Sequence, residues 1–88
     1  MMFLEGKTKS GFKFSISKEQ LENYELLEAL SELEDDAMAL PRVIKLLLGD
    51  DGAKRLKNHV RKLDGIVPPE AMADEIKEIL QSQKQTKN

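Results

Sequence analysis

Eighty-eight residues form one domain, enough to bury roughly 60–65% of the unfolded surface around one modest core but too few for a deep catalytic cleft. Sixteen acids against fourteen bases give a net charge of −2, which argues against a generic polyanion binder, and one Tyr, three Phe and no Trp leave little aromatic surface for stacking bases or sugars. The absence of cysteine removes disulfides, thiolate metal sites and thiol nucleophiles, and fits a reducing cytoplasm.

The opening MMFLEGKTKS has four apolar residues before Glu5, too short for a signal-peptide core, and the longest apolar runs are far shorter than a membrane span. The charges are sorted into blocks. Residues 19–40 hold eight acids and no base: Glu19, Glu22, Glu25, Glu28, Glu32, Glu34, Asp35 and Asp36. In residues 41–65 seven bases face three acids, and five of those bases lie within 54–62. One acidic helix and one basic helix imply electrostatic docking, internal or with a partner.

In chain order, residues 1–10 read as a flexible polar arm. In residues 11–16 Phe12, Phe14 and Ile16 alternate with Lys13 and Ser15, the period of a half-buried strand. Its one nearby pairing candidate is Met2-Phe3-Leu4, across the turn-prone Gly6-Lys7-Thr8; pairing with another subunit, or an extended segment lying on the helices, are the alternatives. Ser17 with Gln20 makes a capping-box pattern and predicts a first helix over about 18–34. Leu26, Leu30 and Leu33 form one apolar row and Leu21, Tyr24 and Leu27 a second beside it, so this helix is expected to touch neighbours on two sides. Glu25, Glu28, Glu32 and Asp36 share its opposite face and repel one another, with no base in the helix to relieve them.

Pro41 suits the first turn of a second helix, whose stripe is Leu40, Val43, Ile44, Leu47 and Leu48, with Arg42 and Lys45 outward and Gly49 as the stop. Asp50 or Asp51 is placed to cap a third helix over 52–63, with Leu56, Val60 and Leu63 as its core stripe. Gly65 ends that helix, with Ile66 folding back after it. Pro68-Pro69 then opens a fourth helix, with Glu70 and Asp74 near its N-terminus and Met72, Ile76, Ile79 and Leu80 on its buried side. A central core of Leu30, Leu47, Leu56, Val60, Ile76 and Leu80 follows from these stripes. The fold expected is mainly α: a compact four-helix single domain over 11–81 with a short N-terminal β segment, after the arm 1–10 and before a polar tail 82–88.

Catalytic, metal and cofactor sites are not expected. His59, the one histidine, reads as a packing or capping residue, and Asp50-Asp51-Gly52 lacks the alternating acids and terminal Glu of a calcium loop. No Ser/His/acid pattern or glycine-rich phosphate loop is apparent. One alternative carries chemistry: helices two and three across Gly49-Asp50-Asp51-Gly52 as a helix-turn-helix, with Lys54, Arg55, Lys57, Asn58, Arg61 and Lys62 on DNA. Those bases spread around most of the helix, and two acids precede its N-terminus, where bases would be read.

Three ordered stretches carry a resemblance. They are Tyr24-Glu25-Leu26-Leu27-Glu28-Ala29-Leu30 with the acids that follow, the run from Leu40-Pro41-Arg42 to Leu48-Gly49, and residues 56–80. The last includes Asp64-Gly65-Ile66-Val67-Pro68-Pro69-Glu70-Ala71-Met72 and Glu75-Ile76-Lys77-Glu78-Ile79. Together, over about 11–81, they resemble the small tail assembly chaperones of long-tailed phages and prophages of Gram-positive bacteria; Ala37-Met38-Ala39 beside Leu40-Pro41 departs from that pattern. The resemblance implies a non-enzymatic factor of the host cytoplasm that binds tape-measure and tail-tube proteins during tail morphogenesis, with no membrane and no cofactor; monomer and homo-oligomer are both left open. It brings no binding residues with it. Charge sorting makes the acidic ridge Glu25, Glu28, Glu32 and Asp36 the candidate partner site, and a small phage-encoded DNA-binding regulator using helix 52–63 the alternative.

Overall fold

The computed structural model describes residues 3–85, with side chains as far as Ser82. Its elements run β1 (Phe3–Lys7), β2 (Lys13–Ser17), α1 (Lys18–Leu21), α2 (Tyr24–Asp35), a 3-10 turn (Ala37–Ala39), α3 (Leu40–Val60) and α4 (Pro69–Gln85). The radius of gyration, 12.7 Å, is near the value of about 12 Å expected for one compact unit of this length. The fold is mainly helical, as the sequence indicates, and the N-terminal β segment is one strand of a two-stranded antiparallel sheet.

Phe12, Phe14 and Ile16 are all buried while Lys13 and Ser15 are exposed, so the alternation of β2 faces as the period demands. Residues 3–7 are the antiparallel partner strand β1, where the sequence reads as a loose arm. Phe3 pairs with Ser17 and Gly6 with Phe14, whose ring covers the glycine: a Cβ on Gly6 would lie 3.0 Å from Phe14 Cζ. The turn therefore falls at Thr8–Gly11, not at Gly6–Thr8. The Gly11 amide donates to Thr8 O at 2.9 Å, and Gly11 takes a φ of +99°, the left-handed residue of a three-residue hairpin loop. Met2, the remaining part of the expected pairing segment, lies outside the described residues.

The capping box is present. Ser17 Oγ accepts from the Gln20 amide at 3.1 Å, and the Ser17 amide donates to Gln20 Oε1 at 3.0 Å. The helix it starts lasts four residues. Asn23 breaks the expected 18–34 helix with an extended backbone, and its side chain accepts from the Glu25 amide to start α2, because a short amide can cap a new helix in competition with the old one. Leu26 and Ala29 of α2 are buried and Leu30 and Leu33 partly so. The second apolar row is split: Leu21 packs partly buried against the core, while Tyr24 is 67% and Leu27 61% exposed.

Pro41 occupies the first turn of α3 as expected; of the expected stripe Leu40, Val43, Ile44 and Leu47 are buried and Leu48 is partly so. Gly49 alone separates 40–48 from 50–60, with φ +78° and ψ 173°, a backbone nearly confined to glycine. The four-residue link and the Asp50 or Asp51 cap are thus replaced by a one-residue joint. The two halves meet closely there, since a Cβ on Gly52 would lie 2.7 Å from Leu48 Cβ. The third expected helix also ends earlier, at Val60, because Arg61 turns extended. Leu63 is 109% exposed and Ile66 is exposed too, so neither joins the core. Asp64-Gly65 supports a local turn instead: the Gly65 amide donates to Lys62 O at 2.8 Å and the Ile66 amide to Asp64 Oδ1 at 3.1 Å.

The helix α4 starts at Pro69 as expected and buries Met72, Ile76 and Ile79. It continues to Gln85, into the expected polar tail; residues 86–88 lie outside the described residues. Of the six expected core residues, Leu47, Leu56 and Ile76 are fully enclosed, while Leu30, Val60 and Leu80 pack partly buried against them. No helix among the described residues is long and apolar enough to cross a membrane.

Candidate protein-binding surfaces

The acidic ridge lies on the surface. Glu25, Glu28, Glu32 and Asp36 are all exposed. Among the described residues one cation reaches it from outside the helix: Arg42, on the first turn of α3, places its guanidinium 3.0 Å from Glu32 Oε1 and 3.9 Å from Glu28 Oε1. That trio keeps one net negative charge. Glu25 carries no ion pair among the described residues, and the Asp36 carboxylate instead accepts from the Met38 amide at 3.0 Å to start the 3-10 turn.

The last turn of α2 holds Glu32, Glu34 and Asp35 and no base. Acids at a helix C-terminus face the negative end of its dipole, a cost of a few tenths of a kcal/mol each at an exposed site. Next to them Tyr24, Leu27, Glu28, Ser31 and Glu32 line a shallow hollow on the outer side of the helix. This is an apolar patch with an acidic border.

Lys54, Arg55, Lys57, Asn58, Arg61 and Lys62 are all exposed, but two are engaged internally. Arg55 donates to Lys13 O at 3.1 Å and lies 5.2 Å over the Phe12 ring; Arg61 donates to Gly65 O at 2.9 Å and to Asn58 Oδ1 at 3.4 Å. Lys57 borders a different feature, an apolar groove of about 330 Å³ between α3 and the start of α4. Leu40, Ile44, Ala53 and Met72 form its floor, and exposed Met38 and Pro41 its near wall. Among the described residues, Lys45 and Lys57 are the only charged ones that line it.

A third cluster joins residues far apart in sequence. Ser10 Oγ, in the hairpin turn, donates to Glu75 Oε2 at 2.7 Å and lies 3.0 Å from His59 Nε2 and 3.1 Å from Thr8 Oγ1. The Lys9 amide donates to Glu78 Oε2 at 2.7 Å. A serine, a histidine and a carboxylate thus meet where the sequence shows no such pattern, yet their order is not that of a nucleophilic triad. There the acid orients the histidine and the histidine takes the serine proton. Here the serine stands between the two and gives its proton to the acid, while the His59 ring packs 5.5 Å from Phe12. The arrangement clamps the hairpin to α3 and α4, and gives His59 the packing role expected of it. Separations of 49 and 65 residues hid it from any reading of local spacing.

Compared with protein-family models, curated proteins and solved structures, the chain matches none. The surfaces themselves are what a functional reading can use. Among the described residues no group of His, Cys, Asp and Glu is placed to hold a metal ion.

Proposed function

We propose that this chain is a non-enzymatic binding module that holds helical segments of partner proteins, in the role of a phage tail assembly chaperone acting on tape-measure and tail-tube proteins in the host cytoplasm. The observation that carries the binding reading is the outer side of α2, where Tyr24 and Leu27 stand exposed beside Glu28 and Glu32. An exposed apolar pair bordered by one sign of charge fits a basic amphipathic helix laid along it. The acids at the C-terminal end of α2 oppose its dipole, so their presence there is better accounted for by a partner than by the helix itself. Screened charge contacts also suit a factor that must release what it holds. The tail-assembly setting rests on the ordered resemblance of residues 24–30, 40–49 and 56–80.

The DNA-binding alternative draws less support. A one-residue joint at Gly49 is shorter than the turn of a helix-turn-helix, and exposed Asp50 and Asp51 begin the would-be recognition helix. Arg55 and Arg61 are tied to backbone carbonyls.

Coexpression tests the role. If the chain is a tail assembly chaperone, the tape-measure protein encoded in the same gene cluster stays in the soluble fraction and copurifies with it. A tape-measure protein that is equally insoluble with and without the chain rejects the role.

A further inference from the structure

We propose that the groove between α3 and α4 receives the Tyr24–Leu27 face of α2 from a second copy of this chain, joining copies head to tail. The two surfaces are complementary in charge, and each presents exposed apolar side chains. The groove is a concave apolar feature of about 330 Å³ whose only charged lining residues, among those described, are Lys45 and Lys57. That volume is at the small end of the range of about 300–1,000 Å³ for ligand sites, suited to one or two inserted side chains. The α2 face offers two large side chains, Tyr24 and Leu27, 67% and 61% exposed, inside a segment (19–40) with eight acids and no base.

Methionines line the receiving side: Met72 at the floor and Met38, 83% exposed, on the wall. Their flexible thioethers adapt to an inserted ring or branched chain. Both surfaces belong to one compact fold and both face outward, so the contact is made between copies. Because the patches differ, the contact is heterologous; each added copy leaves a free groove at one end and a free α2 face at the other, giving a ring or an open chain. The contact is small and bordered by charge, which makes it weak and salt-sensitive.

The inference rests on the α2 face and not on the tail-assembly role. It does add a consequence for that role: a face seated in a neighbour's groove is closed to other helices, so partner capture and self-association exclude one another.

Sedimentation velocity on the full chain and on two variants tests it. Lys45→Glu/Lys57→Glu reverses the groove and keeps the α2 face; Tyr24→Ser/Leu27→Ser removes the face and keeps the groove. All four positions are exposed, and circular dichroism checks that each variant keeps the parent's fold. The wild type is expected to grow in weight-average mass from about 10 µM to about 500 µM at low salt and to lose that growth in roughly 0.5 M NaCl. Each variant alone associates at least about tenfold more weakly, and their equimolar mixture forms dimers and nothing larger, since one intact face meets one intact groove. A monomeric wild type throughout, a variant that associates as the wild type does, or a mixture that stays monomeric would each overturn the proposal.

Discussion

Ser10 shows how much a single hydroxyl carries in a small domain. Its proton satisfies one oxygen of Glu75, a carboxyl only 8% exposed whose other oxygen, Oε1, has no partner among the described residues. Ser10→Ala leaves that carboxyl without its donor, and is expected to cost about 1–3 kcal/mol in urea unfolding, the penalty of an unsatisfied buried group. Removing both partners is milder than removing one, so Ser10→Ala/Glu75→Leu should unfold at a higher urea concentration than Ser10→Ala. Equal midpoints for the single and double variants would remove the clamp from the list of stabilising contacts. This cluster was not legible in the sequence, because nothing local to Ser10 specifies what lies opposite it. Arg42 on the acidic ridge was hidden for the same reason: its outward position could be read, but not that it faces a preceding helix. The buried stripe positions were legible, since helical periodicity fixes their phase. Leu47, central on its stripe, is fully enclosed, and Leu47→Ala should lower stability by about 2–5 kcal/mol, the cost of an unfilled core site.

The same division between visible phase and hidden context holds for whole elements. Pro41 and Pro69 begin helices where they stand in the sequence, and the capping box at Ser17 starts one as its pattern requires. The helix ends were less legible. Leu63 keeps the period of Leu56 and Val60 yet lies in solvent, because Arg61 leaves the helix and Asp64-Gly65 supports a turn of its own. Asn23 splits the first helix because its side chain offers a new N-cap, an option that apolar periodicity does not register. Gly49 is the joint on which the α3 direction depends. Its φ and ψ are open to glycine and strained for other residues, so Gly49→Ala should destabilise by about 1–3 kcal/mol although alanine is the better helix former. Thermal unfolding checks this, and a variant as stable as the parent or more so would mean that the joint straightens freely into one helix.

At the scale of the molecule, charge is distributed in a way the core does not need. The acidic stretch remains on the surface with Arg42 as the one cation among the described residues that pairs with the α2 ridge, and the basic stretch is divided among the Phe12 ring, the 61–65 turn and the apolar groove. A chain organised this way should bind duplex DNA only weakly and without regard to sequence at physiological salt. Fluorescence anisotropy with unrelated duplexes checks that, and nanomolar, sequence-selective binding lost in Arg55→Glu/Arg61→Glu would restore the regulator reading. The central claim is that the acidic, apolar side of α2 captures a basic helical segment. Its most direct test is calorimetric titration of a basic tape-measure helix into the wild type and into Glu28→Lys/Glu32→Lys, at low and at high salt. Loss of the exposed Arg42 pairs should change the fold's stability by no more than about 1 kcal/mol, so the variant remains a fair comparison. We expect the wild type to bind more weakly as salt rises, and the folded variant to bind at least about tenfold more weakly at low salt with its salt dependence gone. Equal affinity and equal salt dependence in the two proteins would contradict the claim and leave the ridge as a solvated face.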